Sequence, residues 1–441
     1  MAEYKTEPLK LWKKAKELRE DFYRNYANAH KMGGLRWAGG AWTFDAVVAG
    51  LGDDVYPLTS EPYGASCAFD RKFSERCLTA TESYGYAQDL CAYMRNYWGS
   101  VLLDEYAFGG PFPKPDFIFQ DQICCSHTKW YQAVSDLENG IPLYSVDVSA
   151  GPCEPFGVLT DNKINYVAGQ LLDGIEWLEK ITKRKFDDEK FIEACWNDFR
   201  STNAWARICE LNQAIPAPLD EKAMYSLYVL ATLQKSSGWC ADYYDELYEE
   251  VKDRVERGIA AIGNERFRLL NDSQPPWGFL KIYRYLEEEY GAVCIGSVYT
   301  FGLEGILEFN REEDSFRPRP LPEEKPGNRE DACYELAKWH LHKPAYQAFY
   351  HARYKNEMMA CIARNWNVDG IILHYNRGCE GSSLGIAENR LYLLELGFPV
   401  LSYEGNMSDE REFDENAIIN RFDIFMDTLK TKGRNVSVEM A

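Results

Sequence analysis

Apolar residues recur along the chain at two spacings, and the change of spacing divides it into three stretches. Residues 7–30 carry apolar positions at helical intervals, as does ATESYGYAQDLCAYMRNYW at 80–98. Between them Gly33 to Trp42, rich in Gly and Trp, reads as an ordered loop. After Gly109, Gly110, Pro111, Pro113 and Pro115 comes a short run, Phe117-Ile118-Phe119, that leads to Ile123-Cys124. Its length and proline flank predict a buried strand, and Leu143 to Val148 predicts another. Residues 162–262 hold helical spacing almost throughout, as in KINYVAGQLLDGIEWLEKI and EKFIEACWNDFRSTNAWARICELN. Beyond Pro275-Pro276 the alternation returns, with strands predicted at 291–300, 368–375 and 398–405 and helices at 344–365 and 383–396. The whole predicts an α/β protein: two doubly wound, Rossmann-like or flavodoxin-like domains, 1–160 and 276–441, flanking a helical segment, 161–275. Arg317 to Asn328, rich in proline and charge, reads as a surface loop.

Charge narrows the partners. A formal net charge of -20 repels nucleic acid and anionic membranes. Met1 to Lys16 is charged throughout, and no apolar run approaches the ~18 residues of a membrane span, so the expectation is a soluble, cytoplasmic protein. There, 13 cysteines predict free thiols, not disulfides. Cys195, Cys209, Cys240, Cys333 and Cys361 sit in helical contexts and read as small buried hydrophobes.

Several chemistries lack their motif. No G-x-x-x-x-G-K-[ST] offers an ATP P-loop, and no G-x-G-x-x-G follows a predicted strand. C-x-x-C, H-E-x-x-H and G-x-S-x-G are also missing. His340 and His342, two apart in WHLHKP, cannot share a helix face, which suggests surface or capping roles.

Two cysteines occupy matching places. Cys124 follows the strand of PDFIFQDQICC, Cys379 follows the strand of VDGIILHYNRGCEGSS, and a helix comes after each. In doubly wound domains ligands bind beyond the carboxyl ends of the strands. Two such thiols can meet between two domains, or each can be a packed strand-end residue.

YAQDLCAYMRNYWG, PDFIFQDQICCSHTKWYQ and DGIILHYNRGCEGSSLGIAENRLYLLELGFPVLSYEGNMSDEREFDE resemble the cysteine-bearing segments of the 2-hydroxyacyl-CoA dehydratase and benzoyl-CoA reductase superfamily. The family pattern has a Cys before a Tyr–Arg helix segment, a second shortly before Lys–Trp, and a third after Asn–Arg. Cys91, Cys124 and Cys379 match, with Cys125 the alternative to its neighbour. EPLKLWKKAKELRE and GGLRWAGGAWTFDAVVAGLGDDVYPLTSEPYGAS resemble the B-subunit branch of the ATP-dependent benzoyl-CoA reductases. The resemblance implies a [4Fe–4S] cluster on three cysteines with one iron free of cysteine. It also implies an aromatic acyl-CoA substrate, a related cluster-binding subunit, ATP-hydrolysing electron-activating subunits, and ferredoxin as upstream donor.

Ring reduction at such a centre needs a proton donor. Glu61, in TSEPYGA, falls at a family-like Glu position, and His127 and His374 lie near the cysteine segments. For the two histidines, a hydrogen bond to a sulfide or thiolate outweighs proton transfer as the expected role. Trp37 and Trp42 are candidates for the ring pocket or for a packed wall.

Overall fold

The structure is a computed structural model that describes residues 3–148, 159–349 and 351–432. Residues 149–158, at the end of the first predicted domain, lie outside the described residues. Two four-stranded parallel sheets organise the chain. The first contains β1 (Leu35–Gly39), β2 (Val55–Thr59), β3 (Phe117–Asp121) and β4 (Leu143–Val146), in the order β2-β1-β3-β4. The second contains β5 (Phe267–Asn271), β6 (Ala292–Ser297), β7 (Gly370–Asn376) and β8 (Val400–Gly405), in the order β8-β7-β5-β6. Counted from its own first strand, each sheet has the same doubly wound order. Each therefore has a switch point between its first and third strands, β1/β3 and β5/β7.

Three strands of the two sheets, β1, β2 and β5, sit where the sequence pattern predicts none. β1 lies within the expected loop 33–42. Its Gly39 is a sheet residue whose missing side chain is structural: a Cβ there would come 2.4 Å from Phe119 O on the neighbouring β3. β5 lies inside the expected helical segment 161–275. The buried Arg268 interrupts its apolar run, and the guanidinium is held by Glu265 and by the carbonyls of Asn212, Ala214 and Trp366.

The helix expected at 80–98 is two, α1 (Arg71–Tyr84) and α2 (Ala92–Leu103). Gly85, at φ 114°, ends the first, a conformation glycine adopts without strain. The break leaves Cys91 at the start of the second helix. Five helices, Asp161–Thr182, Asp188–Leu211, Glu221–Leu227, Val229–Gln234 and Gly238–Glu256, form the block between the sheets in sequence. The aromatic surplus is largely core: Trp130, Trp205 and Trp366 are fully buried. Near the N-terminus Lys5–Thr6 pairs in parallel with Ile259–Ala260, and the Glu250 carboxylate accepts from the Lys10 and Leu11 N–H groups. Among the described residues, no helix is long and apolar enough to cross a membrane.

Candidate active site

The carboxyl edges of both sheets contribute to one cavity, and each of three cysteines there begins a helix. Cys91 is the N-cap of α2, and the Tyr93 and Met94 N–H groups face its sulfur. Cys124 is the N-cap of α3 (Cys125–Leu137) and its Sγ accepts from the His127 N–H at 3.5 Å. Cys379 precedes the short turn Glu380–Ser383, and its Sγ accepts from Gln274 Nε2 at 3.2 Å and Ser382 Oγ at 3.0 Å. Backbone N–H groups at a helix start favour negative charge, so the first two sulfurs are set where an anionic centre is stabilised. Burial pushes the Cys91 thiol up to about 12 and the Cys124 thiol well above its usual value, so both are protonated until a cation displaces the proton. Cys125, one residue on, is exposed, and its thiol donates to Glu380 Oε2 at 3.0 Å.

A glycine brings the halves together. Gly378, at φ 73°, packs so closely on the backbone before Cys91 that a Cβ would come 2.8 Å from Leu90 O. Behind this contact the buried Arg95 of α2 pairs with Asp409 of the second half at 3.0 Å.

The cavity is small, about 50 Å³. The three cysteines line it with Cys125, Glu61, His127 and Gln274, and much of the rest is aromatic: Trp42, Tyr93, Trp130, Tyr228, Tyr299 and Phe349. Among the described residues, no group of three His, Cys, Asp or Glu side chains converges to hold a single metal ion. A cubane cluster makes a different demand. Each thiolate binds a separate iron, so the sulfurs must surround a void instead of meeting at a point. Three thiols on separate elements that line one cavity fit that demand.

Glu61, in the helix Ser60–Cys67 that follows β2, and His127, in α3, form a hydrogen-bonded pair in the wall. Glu61 Oε2 also accepts from the Ala41 N–H at 2.8 Å. On its other side, His127 Nδ1 is 3.3 Å from Asp121 O and 3.4 Å from Asp121 Oδ1. Burial opposes charge on this imidazole, but the flanking Glu61 and Asp121 carboxylates outweigh it and push His127 up to about 10. The ring is thus an imidazolium clamped between two carboxylates. Tyr346 extends the chain, its hydroxyl 2.7 Å from Asp121 Oδ2.

Other expected residues fall elsewhere. His374 does not line the cavity. Its Nδ1 donates to Gln274 O at 2.8 Å, its ring stacks on Tyr403, and burial pushes it down to about 4, so at neutral pH it is an uncharged imidazole and not an acid. Trp42 reaches the cavity, whereas Trp37 lines a separate polar cleft beside the helix Trp12–Asn28. The exposed acids of that cleft, Asp21, Asp53 and Glu193, are paired with Arg24, Lys190 and Lys325. His340 is not at the surface: it is buried, with Nε2 2.9 Å from Asp198. Arg377 pairs with Glu404 on the surface. Sequence reasoning missed Gln274 and Ser382. A polar residue directly before Pro275-Pro276 was a signal for the first, once β5 is recognised.

The chain is an α/β protein whose two parallel sheets bring three thiols and the Glu61–His127 pair to one cavity. The chain belongs to the 2-hydroxyglutaryl-CoA dehydratase, D-component family, whose model matches residues 46–429. It is 26% identical over 364 residues to the (R)-phenyllactyl-CoA dehydratase alpha subunit of Clostridium sporogenes, covering 82% of this chain and 81% of that one. It is 25% identical to the (R)-2-hydroxyisocaproyl-CoA dehydratase alpha subunit of Clostridioides difficile, covering 82% of each. It is 23% identical to a benzoyl-CoA reductase chain of Thauera aromatica, covering 84% of each. These relatives are subunits of enzymes acting on CoA thioesters. The reductase branch suggested by the N-terminal segments thus stands beside dehydratases at similar distance.

Proposed function

We propose that this chain is the cluster-holding subunit of an ATP-dependent benzoyl-CoA reductase, which uses ferredoxin-derived electrons for the two-electron dearomatisation of benzoyl-CoA to cyclohexa-1,5-diene-1-carbonyl-CoA. The observation that carries this reading is the convergence of Cys91, Cys124 and Cys379 with the Glu61–His127 pair on one aromatic-walled cavity. The three cysteines hold a [4Fe–4S] cluster, with Cys124 favoured over Cys125 because its sulfur caps α3 toward the cavity. When bound, the cluster supplies low-potential electrons and an iron able to take a thioester oxygen. The Glu61–His127 pair supplies the proton that the reduced ring requires: His127, fixed by Asp121, carries it, and Glu61, hydrogen-bonded to the imidazole, relays it to the ring. The aromatic walls receive a planar ring and exclude water that would otherwise consume the electrons. Lacking a P-loop, the chain works with a related cluster-binding subunit and with separate ATP-hydrolysing subunits.

A dehydratase is the second reading, favoured by the similarity to (R)-phenyllactyl-CoA dehydratase along most of both chains. Product analysis separates the two. The chain, purified without oxygen with its partners, is given ATP, reduced ferredoxin, and either benzoyl-CoA or (R)-phenyllactyl-CoA. A cyclic diene thioester, two hydrogens heavier than benzoyl-CoA, supports the reductase. Loss of water from phenyllactyl-CoA with benzoyl-CoA untouched rejects it in favour of the dehydratase.

A further inference from the structure

Gln274 and Ser382, buried beside the Cys379 sulfur, are held in one orientation by the bonds around them. The Met407 N–H can only donate, and it bonds Asn376 Oδ1 at 3.0 Å. That turns Asn376 Nδ2 toward Gln274 Oε1, 2.9 Å away. Ser273 Oγ donates to the same oxygen at 2.7 Å. The Gln274 amide is therefore fixed with Nε2 toward Cys379 Sγ, 3.2 Å away. Ser382 Oγ lies 2.8 Å from Gln274 Oε1 and 3.0 Å from Cys379 Sγ. Both lone-pair sites of Oε1 are filled, which leaves the Ser382 hydroxyl proton for the sulfur. A buried ion pair spans the two segments that carry these donors. Lys355 Nζ donates to the Asp272 carboxylate at 2.9 Å, two residues before Gln274, and to Ser382 O at 2.7 Å. The Cys379 sulfur thus faces two preset donors, both from side chains, where the Cys91 and Cys124 sulfurs face backbone N–H groups.

We propose that Gln274 and Ser382 set the reduction potential of the cluster by donating hydrogen bonds to the Cys379 thiolate, and that the Lys355–Asp272 pair positions them for it. The proposal rests on the reading of Cys91, Cys124 and Cys379 as cluster ligands. Each electron arrives from the electron-activating subunits. No bond breaks, and one negative charge is added to a centre already anionic through three thiolates. Hydrogen bonds to sulfur stabilise that added charge, so they raise the potential. They act strongly here because the site is buried and water does not compete. The Lys355 ammonium adds little of its own, since Asp272 neutralises it. Neither donor touches substrate; both act through the sulfur, and keep the potential within reach of the electron donor.

The test is a redox titration of the anaerobically purified complex, followed by the electron paramagnetic resonance of its reduced clusters. The reduction step lost in Cys379→Ala belongs to this chain. Ser382→Ala removes one donor and should lower the ratio of reduced to oxidised cluster at a fixed potential about tenfold, a one-electron shift of about 59 mV to more negative values. Gln274→Met removes the other donor, should shift the same step in the same direction, and decides the matter if Ser382→Ala does not assemble. Ser382→Thr keeps the hydroxyl and should restore the wild-type potential. Unchanged potentials in both donor variants at full iron content overturn the proposal and leave the cluster reading standing. Loss of iron with no shift in the clusters that remain makes the two residues structural and overturns it too. A wild-type complex with no step that Cys379→Ala removes overturns both.

Discussion

The two sheets share a strand order, yet the halves bring different equipment to the cavity. The first contributes two thiols that cap helices and receive backbone N–H groups, together with the Glu61–His127–Asp121 chain. The second contributes one thiol held by the side chains of Gln274 and Ser382, and next to it the Lys355–Asp272 pair. In the first half the sulfur environment is fixed by the fold itself, since a helix start always presents its N–H groups. In the second it depends on individual side chains at the β5/β7 switch point. One topology can therefore carry one edge whose thiols are held by backbone and another whose thiol is held by side chains.

The sharpest way to break this comparison is to remove the thiols in turn. Cys91→Ala, Cys124→Ala and Cys379→Ala should each abolish iron and sulfide content in the anaerobically purified complex, while Cys240→Ala, buried in the helical block, should retain it. Full iron in Cys379→Ala would mean that the second half holds no ligand. Loss in Cys125→Ala with retention in Cys124→Ala would move the site by one residue.

A smaller effect should follow from Glu61→Gln, which keeps the shape and most hydrogen bonding of the first half's carboxyl group but cannot relay a proton. Iron content should stay near normal and turnover should fall by roughly two to four orders of magnitude, the usual worth of a positioned acid. Loss of iron in this variant would instead make Glu61 a structural brace, and wild-type turnover would eliminate it from the chemistry.

The smallest effect concerns an acid sealed away from the cavity. Glu221, in the helical block, is fully buried with Thr300 near its carboxyl oxygens, and burial pushes it up from 4.5 to about 8. A pKa raised in the folded state favours folding fully below pH 4.5. That contribution is lost as pH rises through about 8 and then levels off. Glu221→Gln should flatten this slope, at most about 1.4 kcal/mol per pH unit, in unfolding free energies measured across that window. An unchanged slope would show that Glu221 does not titrate in this way.

How much of this is legible in the sequence depends on what hides periodicity. β3 and β7 stand out as short apolar runs with thiols after them. β1 does not, because Gly39 serves close packing and looks like a loop residue, and β5 does not, because Arg268 breaks its run and is satisfied only by contacts distant in sequence. Cys91 is placed by family resemblance alone. The Gly85 break that makes it an N-cap is readable as a helix stop, but the apolar residues on either side mask it. Glu61 and His127 are each legible as acid candidates, yet no spacing rule shows that they touch. His374 falls outside the cavity because position relative to a cysteine in sequence says nothing about which face of β7 a side chain occupies. Lys355 and Asp272 give no signal, since an ion pair between a helix and a strand end exists only once the second sheet has formed.

The Gly378 contact with Leu90 also sets an order of events during synthesis. Cys91 and Cys124 leave the ribosome early, but Cys379 emerges only after the whole helical block and three strands of the second sheet. Until then the first half presents two thiols and half a wall to the surrounding solution. The pocket can thus close only once Cys379 has emerged, and any metallocentre held by all three thiols is completed after that point.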